Sequence, residues 1–307
     1  MDIAGPRRSE LMRRVGIIGL GDMGMGMARN IINGGFPLTG FDLREARLAE
    51  LELAGGTRAA TCREVGESSD AVFVMVLNGD QVKEVIFGEE GLAKGLKAGA
   101  TIIVSATIHP SEVKELVAPL VETGIHLIDT PVSGGKSGAE DGALTMMAAA
   151  KTEVLEENRE VLDAVSKAIF HVGEEIGQGQ TVKAALQALI GTTFAAVFES
   201  LVLGASAGVK GETMFEVFGS SGVSSPLFKG CSKLIMERKF KDTGSQIATM
   251  YKDLGITMNM AKENGAAMFA TAAAYELFRS GISLFPDEDN WSIVKLLEQI
   301  AGTEVKW

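Results

Sequence analysis

From Val15 to Gly173, short apolar and often β-branched runs alternate with segments whose polar positions recur at helical spacing. The runs are VGIIG at 15–19, LTGFD at 38–42, AVFVMVL at 71–77, TIIVS at 101–105 and HLID at 126–129. Strands separated by helical segments, such as 44–54 and 111–122, are the rhythm of a parallel sheet in which each helix covers a face as a right-handed crossover. A further strand at 143–150, a helix near 152–167 and a short strand at 168–172 complete the expected doubly wound α/β domain. The rhythm then changes. From Gln180 onward apolar, Ala-rich helical patterns dominate, with breaks at Gly208, Gly211, Pro226, Gly265 and Pro286, so the second half is expected to be all-helical.

Between Thr181 and Gly208 the formal charges are Lys183 and Glu199. A segment apolar on nearly every side reads as a buried helix, about 40 Å long if continuous at 1.5 Å per residue. Lys183 near its start has two readings. It snorkels into solvent from the first turns, or it is desolvated, which lowers a lysine's pKa toward the range of acid–base work at neutral pH.

The first run enters Gly19-Leu20-Gly21-Asp22-Met23-Gly24 and then the helical MGMARNIINGG. In this strand-to-helix context GxGxxG is a dinucleotide fingerprint. The first glycine permits the turn, the second admits a pyrophosphate, and the third packs helix on strand. Asp42 stands 18 positions after Gly24 at the end of the second run, where a carboxylate accepts from ribose hydroxyls and repels a 2′-phosphate. NAD is therefore expected, with NADP left open by Arg44. The organisation predicted is a Rossmann-type domain at 1–177, an interdomain helix at 178–209 and a helical substrate and oligomerisation domain at 210–307.

The segment DTPVSGGKSGAEDGALT, 129–145, follows the C-terminal end of a strand, where open α/β sheets bind ligands. Ser133, Gly134 and Gly135 offer a hydroxyl and close amides to a carboxylate; a glycine-rich loop with no ligand has the same composition. Taken in order, VGIIGLGDMG, DTPVSGGKSGAEDGALTMM, GQGQTVK and YKDLG resemble the β-hydroxyacid dehydrogenase family over nearly the whole chain from Val15. The resemblance implies that Ser133, Gly134 and Gly135 hold a substrate carboxylate and that Lys183 is the catalytic acid or base. It also implies that Leu77, Asn78, Thr107 and Lys252 approach the cofactor. The stretch LNGDQVKEVIFGEEGLAKGLKAG at 77–99 is most similar to the L-threonate dehydrogenase branch.

Two departures bear on the substrate. Three residues after the lysine, where the family usually carries Asn and the threonate branch often His, this chain has Leu186. Gln187, four residues from Lys183 and on the same helix face, is a substitute substrate contact. Near the C-terminus Asn290-Trp291 replaces the common Asp-Ser, and the indole is either a pocket wall or core. Ser224 and Phe228, in the turn 220–228, are further pocket candidates. Rival expectations are a cofactor-binding relative with lost or altered chemistry, or a reductase of the 3-hydroxyisobutyrate or tartronate semialdehyde type. His109, His126 and His171 lack metal-ligand spacing, and no metal is expected.

Composition narrows little more. A net charge of −11 argues against coating nucleic acid or an anionic membrane. Cys62 and Cys231 form no CxxC pair, so reduced thiols and a cytoplasmic setting are expected. Residues 1–13 read as a loose leader, with Met12 an alternative start, and neither a signal peptide nor a membrane span is expected. The long apolar helix suggests a homodimer or homotetramer, and the family resemblance implies a small hydroxy-acid substrate.

Overall fold

The apolar runs become β1 (Val15–Ile18), β2 (Leu38–Phe41), β3 (Thr57–Arg58), β4 (Ala71–Val74), β5 (Thr101–Val104), β6 (His126–Asp129), β7 (Val132–Ser133), β8 (Leu144–Ala149) and β9 (Ser166–Gly173) in a computed structural model that describes residues 12–307. Most of the expected leader lies outside the described residues. The chain divides into two compact units, one ending at Lys183 and the other running from Ala184 to Trp307, so the boundary falls inside a helix.

In the first unit the strand order is β3-β2-β1-β4-β5-β6-β8-β7, with β9 beside β8. Strands β3 through β6 are all parallel, whereas β8 runs antiparallel to β6 and β7. Because Val15 pairs with both Leu38 and Ala71, the chain reverses its direction of winding at β1, and the crevice beyond that strand is where such sheets bind ligands. Alternate residues explain why both faces are covered. Ile17, Phe73, Ile103 and Ile128 join one buried cluster, while Ile18, Val72, Val74, Ile102 and Val104 join another.

Three sequence expectations need correction. The helix expected at 111–122 is two, Pro110–Glu115 and Val117–Thr123, because Pro119 has no N–H for the carbonyl of Glu115. The helix expected at 152–167 ends far sooner and is also two, Thr152–Glu157 and Arg159–Asp163. Between them Asn158, fully buried, donates to the Val154 carbonyl at 2.7 Å and to Thr101 Oγ1 at 3.1 Å, tying the break to the sheet. Residues 166–167 instead begin β9, which is longer than the expected 168–172.

The long helix spans Gln178–Ser206, 29 residues. Among the described residues it is the one helix long and apolar enough to cross a bilayer. In the second unit its Phe194, Phe198 and Leu201 enter the core with Phe228, Ile235, Leu254, Phe278 and Trp291, drawn from the helices and turns that follow. Trp291 stands edge-on to Phe194 at 5.5 Å between centroids and donates from Nε1 to Thr243 Oγ1 at 2.8 Å, so the indole is a satisfied core residue. Phe228 is likewise buried, stacked on Phe215. Asp289, directly before the helical turn Asn290–Ser292, ties down the loop before residue 246, accepting from Thr243 N and Oγ1 at 2.7 Å. The two cysteines are free; burial pushes the Cys62 thiol up to about 11, which leaves it unreactive.

Candidate active site

Each glycine of the first loop has a different neighbourhood. Gly19 adopts φ +89°, and a Cβ there would lie 2.3 Å from the Met75 carbonyl oxygen. A Cβ on Gly24 would lie 1.9 Å from the Gly19 carbonyl oxygen, so helix and strand touch through backbone. At Gly21 the nearest atom to an added Cβ is an Arg44 guanidinium nitrogen 3.9 Å away. The space a pyrophosphate needs is open at the second glycine and closed at the other two, so the loop fits a dinucleotide. Helix Asp22–Asn33 begins there, and Met25 and Met27 are buried packing residues.

Asp42, just past β2, reaches back to this loop. Its Oδ2 accepts from Leu20 N at 2.7 Å and from the Arg44 guanidinium at 3.1 Å, and its Oδ1 accepts from Arg44 N and Nε at 2.9 and 3.0 Å. Burial works against ionisation, but the bonds from Arg44 and Leu20 outweigh it and hold the carboxyl below its ordinary range. Beyond β4, Asn78 caps helix Gly79–Phe87 by accepting from Gln81 N at 2.9 Å, while Leu77 is left exposed.

Ser133 ends β7, and Gly134 and Gly135 follow at φ +137° and +61°, conformations that glycine adopts without strain. Both glycines are exposed, and nothing lies within 4 Å of a Cβ built on Gly135, so their amides are reachable. The short helix Gly135–Glu140 packs on helix Asp22–Asn33 with the backbones in contact: a Cβ on Gly26 would lie 2.7 Å from the Ala139 carbonyl carbon. Asn30 Nδ2 secures the contact by donating to Gly26 O, Ala139 O and Glu140 O at 2.9, 2.8 and 3.0 Å.

Lys183 is 6% exposed and therefore does not snorkel. Gln187, 5% exposed, lies four residues on, and its Nε2 donates to Asp253 Oδ2. Asp253 also pairs through Oδ1 with Lys252 Nζ at 2.9 Å. The Gln187 amide, one position after Leu186, is thus oriented by a buried carboxylate. Two of the histidines have structural partners: His109 caps helix Pro110–Glu115, and His171 Nε2 bonds the Ala150 carbonyl at 2.9 Å.

Asp129 and Gln180 were not singled out by the sequence. Asp129 Oδ2 accepts from Gly177 N at 2.9 Å and Gln180 N at 3.3 Å, and Oδ1 accepts from Gln180 Nε2 at 3.0 Å. Burial drives the Asp129 carboxyl up to about 6 against the pull of these N–H groups. With the folded value above the unfolded one, near 3.9, the folded state binds the extra proton. The contribution to stability is full below pH ~4 and is lost as the pH rises through ~6. Denaturant titrations at pH 4 and pH 7 should show the parent losing about 2 kcal/mol more than Asp129→Asn over that interval. Equal pH dependence in the two proteins contradicts it.

Known proteins match the chain over most of its length. Residues 14–173 match the family model described as the NAD binding domain of 6-phosphogluconate dehydrogenase. Residues 177–297 match the NAD-binding model of NADP-dependent 3-hydroxyisobutyrate dehydrogenase. The chain is 36% identical to 2-(hydroxymethyl)glutarate dehydrogenase of Eubacterium barkeri, over 95% of this chain and 97% of that protein. It is 34% identical to L-threonate dehydrogenase of Haemophilus influenzae, over 94% and 96%. The crystal structure of 3-hydroxyisobutyrate dehydrogenase from Salmonella typhimurium superposes with a TM-score of 0.85 at 31% identity, covering 92% of this chain and 99% of that one.

Proposed function

The chain belongs to the β-hydroxyacid dehydrogenase family and is an NAD(P)-dependent hydroxyacid dehydrogenase, and on that premise we propose that it oxidises a short hydroxy acid such as L-threonate, with Lys183 as the general acid/base. The observation that carries this reading is the burial of Lys183 in the unit that also holds the open glycine loop and the Ser133 loop. The loop Gly19–Leu20–Gly21–Asp22–Met23–Gly24 would hold the pyrophosphate, and Asp42 the ribose, with Leu77, Asn78, Thr107 and Lys252 as further cofactor contacts. Bound NAD supplies the hydride acceptor. Ser133 and the amides of Gly134 and Gly135 hold the substrate carboxylate and select which carbon is presented. Lys183 accepts the proton of the reacting hydroxyl and in the reverse direction returns it to the carbonyl oxygen. Gln187, oriented by Asp253, steadies that oxygen.

A spectrophotometric screen of NAD and NADP reduction against two- to six-carbon hydroxy acids tests the reading. L-threonate is expected to be turned over; 2-(hydroxymethyl)glutarate is the second candidate because of the 36% identical relative. Cofactor binding by fluorescence with no turnover of any acid would support the rival, a member without chemistry, and overturn the proposal.

Cofactor choice should respond to Arg44, which occupies both oxygens of Asp42. Arg44→Ala exposes the carboxylate charge and removes a cation that could meet a 2′-phosphate, so the ratio of kcat/KM for NAD over NADP is expected to rise about tenfold. An unchanged ratio removes Arg44 from cofactor selection. The long helix also carries exposed Leu189 and Leu203, 65% and 72% accessible, which a second copy would cover in a cytoplasmic dimer or tetramer. Light scattering is expected to give a multiple of 32.4 kDa, and a monomeric mass contradicts it.

A further inference from the structure

Gln180 is 1% exposed, and both ends of its carboxamide are engaged. Its Oε1 accepts from Ile108 N at 3.1 Å, and its Nε2 donates to the Ala106 carbonyl at 3.0 Å and to Asp129 Oδ1 at 3.0 Å. Ala106 and Ile108 flank Thr107 beyond β5, and Asp129 is the last residue of β6. Through Oδ2, Asp129 also holds the N–H groups of Gly177 and Gln180 where the long helix begins. Gly179 completes the contact, since a Cβ there would lie 2.5 Å from the Met147 carbonyl oxygen and 2.7 Å from that of Asp129. Three separate pieces of chain therefore meet at one side-chain amide.

The amide has one workable orientation. Turned over, its NH₂ would face the Ile108 N–H and its oxygen would face the Ala106 carbonyl and the Asp129 carboxylate, so three bonds would become three repulsions in a buried site. Lys183 lies three residues farther along the same helix, within one turn. We propose that Gln180, held by Asp129, is a positioning residue that fixes the Lys183-bearing turn against the Thr107 segment, and so sets where the acid/base stands relative to the cofactor. This rests on the roles given above to Lys183 and Thr107. Packing alone would leave the first turn of an apolar helix free to slide by fractions of an ångström, and misplacement by 1 Å can cost about 100-fold in rate.

Gln180→Met keeps length and volume and removes all three bonds. In hydrogen exchange of the NAD-saturated protein, amide protection at Ile108, whose N–H donates to Gln180, should be lost while that of Ala106, whose N–H donates to Val74 O, and of the central strand β4 is retained. With L-threonate, or 2-(hydroxymethyl)glutarate if that is the acid turned over, kcat should fall by about 30- to 100-fold. The primary deuterium isotope effect on kcat should rise as hydride transfer becomes limiting. In a Lys183→Ala background the same substitution should cost no more than about threefold further, because the two residues act as a unit.

Retained protection at Ile108 overturns the proposal, as does a kcat within about threefold of the parent. A fall in kcat that is fully additive with Lys183→Ala, with an unchanged isotope effect and protection lost throughout the unit, identifies a merely structural residue and also overturns it. Failure of the underlying reading looks different: Lys183→Ala alone would then retain parental activity whatever happens at Gln180.

Discussion

Lys183→Ala is expected to lower kcat by about a thousandfold or more, the upper range for losing a positioned acid/base, while the dissociation constant for NADH stays close to that of the parent. The separation follows from geometry. Apart from Lys252, the residues proposed to hold the cofactor stand at the ends of β1, β2, β4 and β5, whereas Lys183 is on the long helix. Removing a buried ammonium leaves a cavity within reach of polar groups, which water can occupy, so the fold should survive. Stopped-flow measurement of a single turnover, paired with fluorescence titration of NADH, checks both halves. Parental kcat in the variant would sink the mechanism; tight NADH binding lost together with kcat would recast Lys183 as a cofactor contact.

The second large effect is a contrast between two glycines three residues apart. Gly24→Ala places a methyl 1.9 Å from a backbone oxygen that no rotamer can move, so the loop must open. Overpacking of this kind typically costs about 1–3 kcal/mol, which for a unit of this size lowers Tm by about 5 °C or more. Gly21→Ala meets nothing nearer than 3.9 Å, and its φ of −62° suits any residue, so Tm should move by no more than about 2 °C. Its methyl nevertheless stands where the pyrophosphate must approach, and NAD affinity should fall about tenfold or more. Thermal melts with and without NAD distinguish the two. A Gly21→Ala protein that binds NAD as well as the parent would remove this loop from the cofactor site.

What the chain disclosed in advance was whatever depends on local pattern. The strand-to-helix passage through Gly19–Gly24, the acidic residue closing the next strand, and a lysine stranded in an apolar helix are all short-range features, and the structure displays each of them. Two-residue strands such as β3 and β7 have no period to detect. The partners of Asp129 were hidden for another reason. It reads as a strand end facing ligand, yet its carboxylate accepts N–H groups from a helix that begins 49 residues later. Gln180 likewise looks like any polar residue in a helical first turn, and only the tertiary fold brings Ala106, Ile108 and Asp129 to its amide. Trp291 illustrates the converse: an aromatic in an unusual place invited a pocket role, and its Nε1–H found a threonine hydroxyl inside the core.

The contact of Gly26 with Ala139 gives the first unit a fixed ruler. One end is the helix proposed to receive the pyrophosphate and the other is the loop proposed to hold a carboxylate, and between them two main chains touch, leaving no side chain whose size could vary the gap. On the proposed reading, any acid that this protein accepts is measured from the same origin, with its carboxylate and the cofactor's phosphates at a set spacing. Variation among relatives can lengthen or shorten what lies beyond that origin, but a longer substrate must extend away from the ruler and cannot stretch it.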